Sequence, residues 1–110
     1  MNLRTRDYAR IGQLVLQKGL WNGVPIVPAD WVVQSTTPSA PGGAMYGYQW
    51  WMGDNPTPGE VMAQGIYGQY IYINPTLDVV IAINAADRGF EDPGVYDGTI
   101  AMLRQMAADL

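Results

Sequence analysis

The chain has 110 residues, 48% of them hydrophobic and 15% charged, which predicts one small domain, residues 1–110, able to bury a core, and excludes a disordered polymer. It contains no histidine and no cysteine, so Ser-His-Asp and Cys-His centres, disulfides and zinc sites built on those ligands are excluded. Six basic against ten acidic residues give a net charge of −4, and Arg4, Arg6, Arg10, Lys18, Arg88 and Arg104 are scattered, which speaks against a nucleic-acid partner.

No apolar run approaches the roughly 18 residues that a membrane span needs, and the polar start from Asn2 to Asp7 is no signal peptide, so a soluble chain without a membrane span is expected. Lack of cysteine fits any redox compartment and leaves localisation unassigned. The first residues offer no strand or turn ahead of the first helix, and they read as a chain entered partway through a domain.

In chain order, Thr5 can cap a helix whose apolar positions Tyr8, Ile11, Leu14, Val15 and Leu16 fall at helical spacing, with Gly19 as the stop. Trp21-Asn22-Gly23 signals a turn and Val24 to Val27 a short extended piece. Pro28 then opens a brief second helix over Ala29 to Gln34. Residues 35–44 are a loop. From Tyr46 the period becomes extended, and strands are predicted at 46–52, 60–65, 68–74 and 77–84. The last of these is nearly all apolar and should lie centrally. Residues 85–94 read as a polar loop in which Asp87, Arg88, Glu91 and Asp92 are solvated. A final helix from Val95 to Leu110 sets Val95, Thr99, Met102, Leu103, Met106 and Leu110 on one face, to lie on the sheet. The fold class is α+β: an antiparallel sheet of about four strands with N-terminal helices and a C-terminal helix packed on it.

Three blocks then carry a resemblance. Thr5 to Leu14 with Trp21-Asn22-Gly23 and Ile26 to Val32, then Tyr46-Gly47-Tyr48-Gln49-Trp50-Trp51, then Gly65 to Pro75, keep the order and spacing of the later part of serine hydrolases of the β-lactamase superfamily. That superfamily includes class C β-lactamases, penicillin-binding DD-peptidases, esterases and 6-aminohexanoate-dimer hydrolases, and the last branch is the nearest in pattern. The resemblance implies the C-terminal portion of a β-lactamase-like α/β domain, with the remaining N-terminal portion as its partner, a small-molecule ester or amide as substrate, and no cofactor or metal.

The superfamily's nucleophile is the serine of a Ser-x-x-Lys motif. Ser35 and Ser39 are the only serines here, and three places on stand Pro38 and Gly42, so that motif is absent from the sequence. Tyr72-Ile73-Asn74 spells the second motif but follows the third, where the superfamily places its tyrosine earlier; it reads as coincidence. The third motif, Lys-Thr-Gly or His-Thr-Gly, falls on Ala63-Gln64-Gly65. Loss of the cation and the hydroxyl disfavours β-lactam substrates and favours plain esters or amides. By the same resemblance the Ile66 N–H is half of an oxyanion hole, and Gln64, Gly65 and Tyr67 contact substrate. By itself the chain is expected to be inactive.

Structural readings stand beside these. Gly65 and Gly68 suit a bulge or bend, and Trp50 and Trp51 point to opposite faces of a strand, one towards core and one towards a cleft. A rival function is an independent small domain whose tryptophans and tyrosines stack on a sugar or peptide. Strand 77–84 needs cover on both faces, of which the predicted helices account for one, so self-association is expected.

Overall fold

The computed structural model describes residues 2–110. Its elements are α1 (Thr5–Leu16), β1 (Leu20–Trp21), β2 (Val24–Pro25), α2 (Ala29–Ser35), β3 (Val61–Gly65), β4 (Gln69–Asn74), β5 (Val79–Ile83) and α3 (Val95–Asp109). The three later strands form one antiparallel sheet in the order β3-β4-β5, and β1 and β2 pair separately as a minimal hairpin around Asn22-Gly23. This is the α+β architecture expected from the sequence, with the sheet built of three strands where about four were predicted.

The sheet is the middle of three layers. Alternation along the strands sends Met62, Tyr72 and Val79 to one face, where they pack with Ile100, Leu103 and Ala107 of α3. It sends Val61, Ile71 and Ile73 to the other, where they meet Met52 and, from α1, Tyr8, Ile11, Val15 and Leu16. The expectation that the helices cover only one face is therefore corrected: α1 covers one and α3 the other. Gly12 makes the α1 contact close, since a Cβ there would stand 2.5 Å from Val80 Cγ1 and 2.9 Å from Ile71 Cγ2.

Three local expectations change. Thr5 is the first helical residue, with Arg4 in the capping position, and the Thr5 hydroxyl accepts a tertiary hydrogen bond from Asn84 Nδ2 at 2.9 Å. The α3 stripe is rotated: Ile100, Leu103 and Ala107 are buried, whereas Met102, Met106 and Leu110 are exposed. The rotation brings Arg104 to the buried Glu60. Residues 46–52 form no strand. Gly47 N–H donates to the Trp50 carbonyl at 2.8 Å across a tight turn in which Gln49 has a φ of 68°, leaving single bridges from Trp51 to Tyr46 and to Met62. Gly47 fits because any Cβ would collide with the Ser35 carbonyl. Trp50 joins the α1-side core, and half-exposed Trp51 meets the Tyr46 ring at a tilt, with centroids 4.4 Å apart.

Candidate active site

The sheet's two outer edges differ. Met62 exchanges both its N–H and its C=O with Trp51 at 2.8 Å, so Met62 turns its backbone groups away from β4. In an antiparallel ladder that orientation alternates, which assigns Val61, Ala63 and Gly65 to the bonds with β4. Gln64 then faces the outer edge of β3 beyond the end of the Trp51 bridge.

Beside this edge lies a cleft of about 350 Å³ lined by Tyr8, Gln49, Ala63, Gln64, Gly65, Gln69, Tyr70, Ile71 and Asn84. Among the described residues its lining contains no serine and no charged side chain. Tyr70, which pairs with Gln64 in the β3–β4 register, is one of the two tyrosines lining the cleft. Burial, with a smaller contribution from Tyr96, raises its pKa, so it stays protonated at neutral pH and cannot serve there as a phenolate base. What the cleft offers is hydrogen bonding and shape.

Gln64 and Gly65 line the cleft; Ile66 and Tyr67, the other two residues singled out in the sequence, follow in the turn and do not. Ile66 is 61% exposed. The turn Ile66-Tyr67-Gly68 joins the pair Gly65 and Gln69, with φ of 69° at Tyr67 and 84° at Gly68. At Gly65 a Cβ would stand 2.6 Å from Gln69 Oε1, the mobile end of that side chain, and 3.2 Å from Gln69 Cβ. The loop after β5 braces this turn: Asp87 N–H donates to the Tyr67 carbonyl at 3.0 Å, Gln69 Nε2 donates to the Ala85 carbonyl at 2.9 Å, and Phe90 meets the Tyr67 ring edge-on at 5.5 Å. The sequence reading of 85–94 as merely solvated missed this brace.

The two serines and the Tyr-x-Asn pattern are placed elsewhere. Ser35 is buried at the end of α2 with its hydroxyl donating to the Val32 carbonyl, and Ser39 Oγ donates to the Tyr46 carbonyl. Tyr72 and Asn74 are buried in the core and bonded to each other at 3.1 Å, while Asn74 Oδ1 accepts the Leu77 N–H at 3.1 Å to close the β4–β5 turn. Their role in the fold is structural.

Residues 3–105 match the family model described as Beta-lactamase. The chain belongs to the beta-lactamase family. Among curated members, the 6-aminohexanoate-dimer hydrolase of Paenarthrobacter ureafaciens is 33% identical over 69% of this chain and 22% of its own length. A solved structure described as "Putative 6-aminohexanoate-dimer hydrolase from Bacillus anthracis" superimposes with a TM-score of 0.68 and 28% identity, covering 96% of this chain and 29% of that one. The chain thus spans between a fifth and a third of the length of these beta-lactamase-family relatives. Its three-layer arrangement is a beta-lactamase-like one. Among the described residues no helix is long and apolar enough to cross a membrane.

Sequence reasoning did not find Gln49, Gln69, Asn84 and Tyr8 as cleft residues. Gln49 stands in a motif that had been read as a strand, and nothing in strand periodicity marks a turn residue as a wall. Glu60 and Arg104 were missed too, because a lone Glu and a lone Arg 44 positions apart carry no local signal.

Proposed function

We propose that this chain is the C-terminal portion of a serine hydrolase that cleaves small esters or amides through an acyl-enzyme, and that it supplies the β3 wall of the active site. The carrying observation is the outer edge of β3, where the alternation fixed by Met62 leaves Gln64 facing the cleft side and makes Ile66 the next position of the same parity. In this reading the Ile66 N–H donates to the oxyanion of the tetrahedral intermediate, while Gln64, Gly65 and Tyr67 bound the substrate. The nucleophile belongs to the N-terminal portion, in keeping with a sequence that holds no Ser-x-x-Lys and a cleft lined by no serine. That portion would also pair with β5. Tyr70, Tyr72 and Asn74 turn to β5, so Val80 and Ala82 present their backbone groups on its other side, along an edge that needs a partner strand. Self-association of the chain alone would use the same edge.

The test is catalytic. The 110-residue chain should turn over no p-nitrophenyl ester, nitrocefin or linear 6-aminohexanoate dimer, and hydrolysis of ester or amide should arise on joining it to an upstream segment that carries Ser-x-x-Lys. Ester hydrolysis by the chain alone that disappears on replacing Ser35 or Ser39 overturns the proposal. A second reading, a sugar- or peptide-stacking domain, draws on the half-exposed pair Trp31 and Tyr48, whose rings lie 5.5 Å apart.

A further inference from the structure

Tyr67 occupies a backbone position that suits a much smaller residue. The paired residues Gly65 and Gln69 enclose only Ile66, Tyr67 and Gly68, and the successive φ values of 69° at Tyr67 and 84° at Gly68 follow the pattern of a type I′ turn. Asparagine, aspartate or glycine is favoured at the first of those positions, and a bulky aromatic residue in the left-handed region is strained. Such a conformation persists only where the surroundings hold it, and the loop between β5 and α3 does so. Asp87 N–H donates to the Tyr67 carbonyl at 3.0 Å. The half-buried Phe90 meets the Tyr67 ring at 82° with centroids 5.5 Å apart, an edge-on geometry that aromatic pairs prefer. The loop that supplies both contacts is itself ordered. Asp87 Oδ1 accepts the Gly89 N–H at 2.8 Å, the Gly89 carbonyl accepts the Asp92 N–H at 2.9 Å, and the Asp92 carbonyl accepts the Val95 N–H at 3.1 Å where α3 begins.

We infer that Phe90 is a positioning residue for the oxyanion site, its ring holding Tyr67 in the left-handed conformation that keeps the Ile66 N–H aimed at the cleft side. The inference rests on reading Ile66 as the oxyanion donor and adds what fixes that donor in place. The link is mechanical. With three residues between paired positions, Tyr67 cannot relax to a negative φ alone; Ile66 and Gly68 must rotate with it, and the peptide unit that carries the Ile66 N–H then swings off its line. Phe90 does not line the cleft, so it acts on the substrate only through Tyr67 and its neighbours. Acylation and deacylation both pass through a tetrahedral species whose oxygen bears negative charge, so a misplaced donor slows the two steps alike. That lowers kcat and leaves KM, which depends on the ratio of the two steps and on ground-state binding.

The experiment compares three variants. Phe90→Ala and Phe90→Leu remove the ring, the second keeping apolar bulk so that the loop stays filled, and Phe90→Tyr retains it. In the 110-residue chain, NMR reads the Tyr67 conformation from its intraresidue HN–Hα NOE, which is strongest at positive φ; the Ala and Leu variants should weaken it and the Tyr variant should keep it. In the hydrolase formed by joining the chain to an upstream segment that carries Ser-x-x-Lys, kcat for a p-nitrophenyl ester should fall about tenfold in the Ala and Leu variants, short of the loss of about 10²–10³ for a deleted donor. KM should stay within about twofold, and Phe90→Tyr should match the parent within about twofold in both constants. If the NOE is unchanged in Phe90→Ala and Phe90→Leu, if it weakens while kcat holds, or if the loss appears in KM alone, Phe90 does not position the donor and the reading of Ile66 stands. If joining the segments yields no hydrolysis, the oxyanion reading and this inference fall together.

Discussion

Glu60, the residue before β3, and Arg104, in the second half of α3, are joined by a 2.8 Å hydrogen bond from Arg104 Nε to Glu60 Oε1. The Glu60 side chain is fully buried. Its other oxygen accepts from the Thr57 N–H and hydroxyl at 3.0 and 3.1 Å, and Arg104 also donates to the Asp54 carbonyl at 2.9 Å. One ion pair therefore ties the loop entering β3 to the rotation of α3 about its axis, and so to the wall of the cleft.

Replacing Arg104 by Leu leaves a buried carboxylate with only the Thr57 donors. A loss of about 2–3 kcal/mol is expected in urea unfolding, below the range for a wholly buried pair because the guanidinium is about a third exposed. The double variant Glu60→Leu with Arg104→Leu should recover most of it, since no charge is then left buried. A double variant no better than Arg104→Leu alone would show that the pair matters for packing and not for charge.

Gly12 and Gly98 both sit inside helices, and the structure gives them opposite signs. Gly12→Ala gains about 1 kcal/mol of helix propensity but forces a methyl against Val80 and Ile71, an overpacking cost of about 1–3 kcal/mol, so a net loss is expected. At Gly98 nothing lies within 4 Å of a new Cβ, and Gly98→Ala should stabilise by about 0.5–1 kcal/mol. Thermal melts of the two variants check both signs. A stabilised Gly12→Ala would mean that α1 can lift from the sheet without cost.

What the sequence made legible follows from where the information lies. The strands over 60–84 and the existence of α1, α2 and α3 were readable because alternation and helical spacing are local. The face of α3 was not, since Met102 and Met106 look as apolar as Ile100 and Leu103, and only the distant Glu60 decides which side turns inward. Gln49 was hidden for a related reason. Tyr46 to Met52 alternates like a strand, and the turn within it is imposed by a hydrogen bond to Ser35 and by the close approach of Gly47, neither of which is visible locally. Gln64 and Gly65 were found through the resemblance of the third motif, and the structure puts both on the cleft.

Alkaline pH should unfold the protein through Tyr70 and Tyr72. Burial raises both phenols above the ordinary value of 10.0; Tyr96 adds to it for Tyr70, and at Tyr72 the Asn74 hydrogen bond works in the opposite direction. The unfolded chain then releases these protons at lower pH than the folded one, so it binds fewer protons above about pH 10 and stability falls as pH rises. Below about pH 10 the contribution is complete. Urea midpoints at pH 8, 10 and 11 should decline across the last interval, with a shallower decline in Tyr72→Phe. A midpoint that is flat to pH 11 would contradict the direction of both shifts.

The sharpest prediction concerns the backbone of Ile66 in an active, longer protein that contains this chain. Ile66 follows Gly65 at the end of β3, and its side chain is 61% exposed, so packing asks little of it. Its proposed work is done by the N–H. Replacing Ile66 by Val keeps that donor and should leave turnover within about twofold, whereas Ile66→Pro removes it and should cost about 10²–10³ in kcat, or about 2.7–4 kcal/mol. Proline also constrains the turn, so the variant needs a folding check, and the brace from Asp87 to the Tyr67 carbonyl and from Phe90 to the Tyr67 ring gives one. If those contacts persist in its NMR spectrum, the loss belongs to the missing donor. A variant with the turn intact and near-full turnover would remove Ile66 from the oxyanion site, and with it the placement of the third motif on Ala63-Gln64-Gly65.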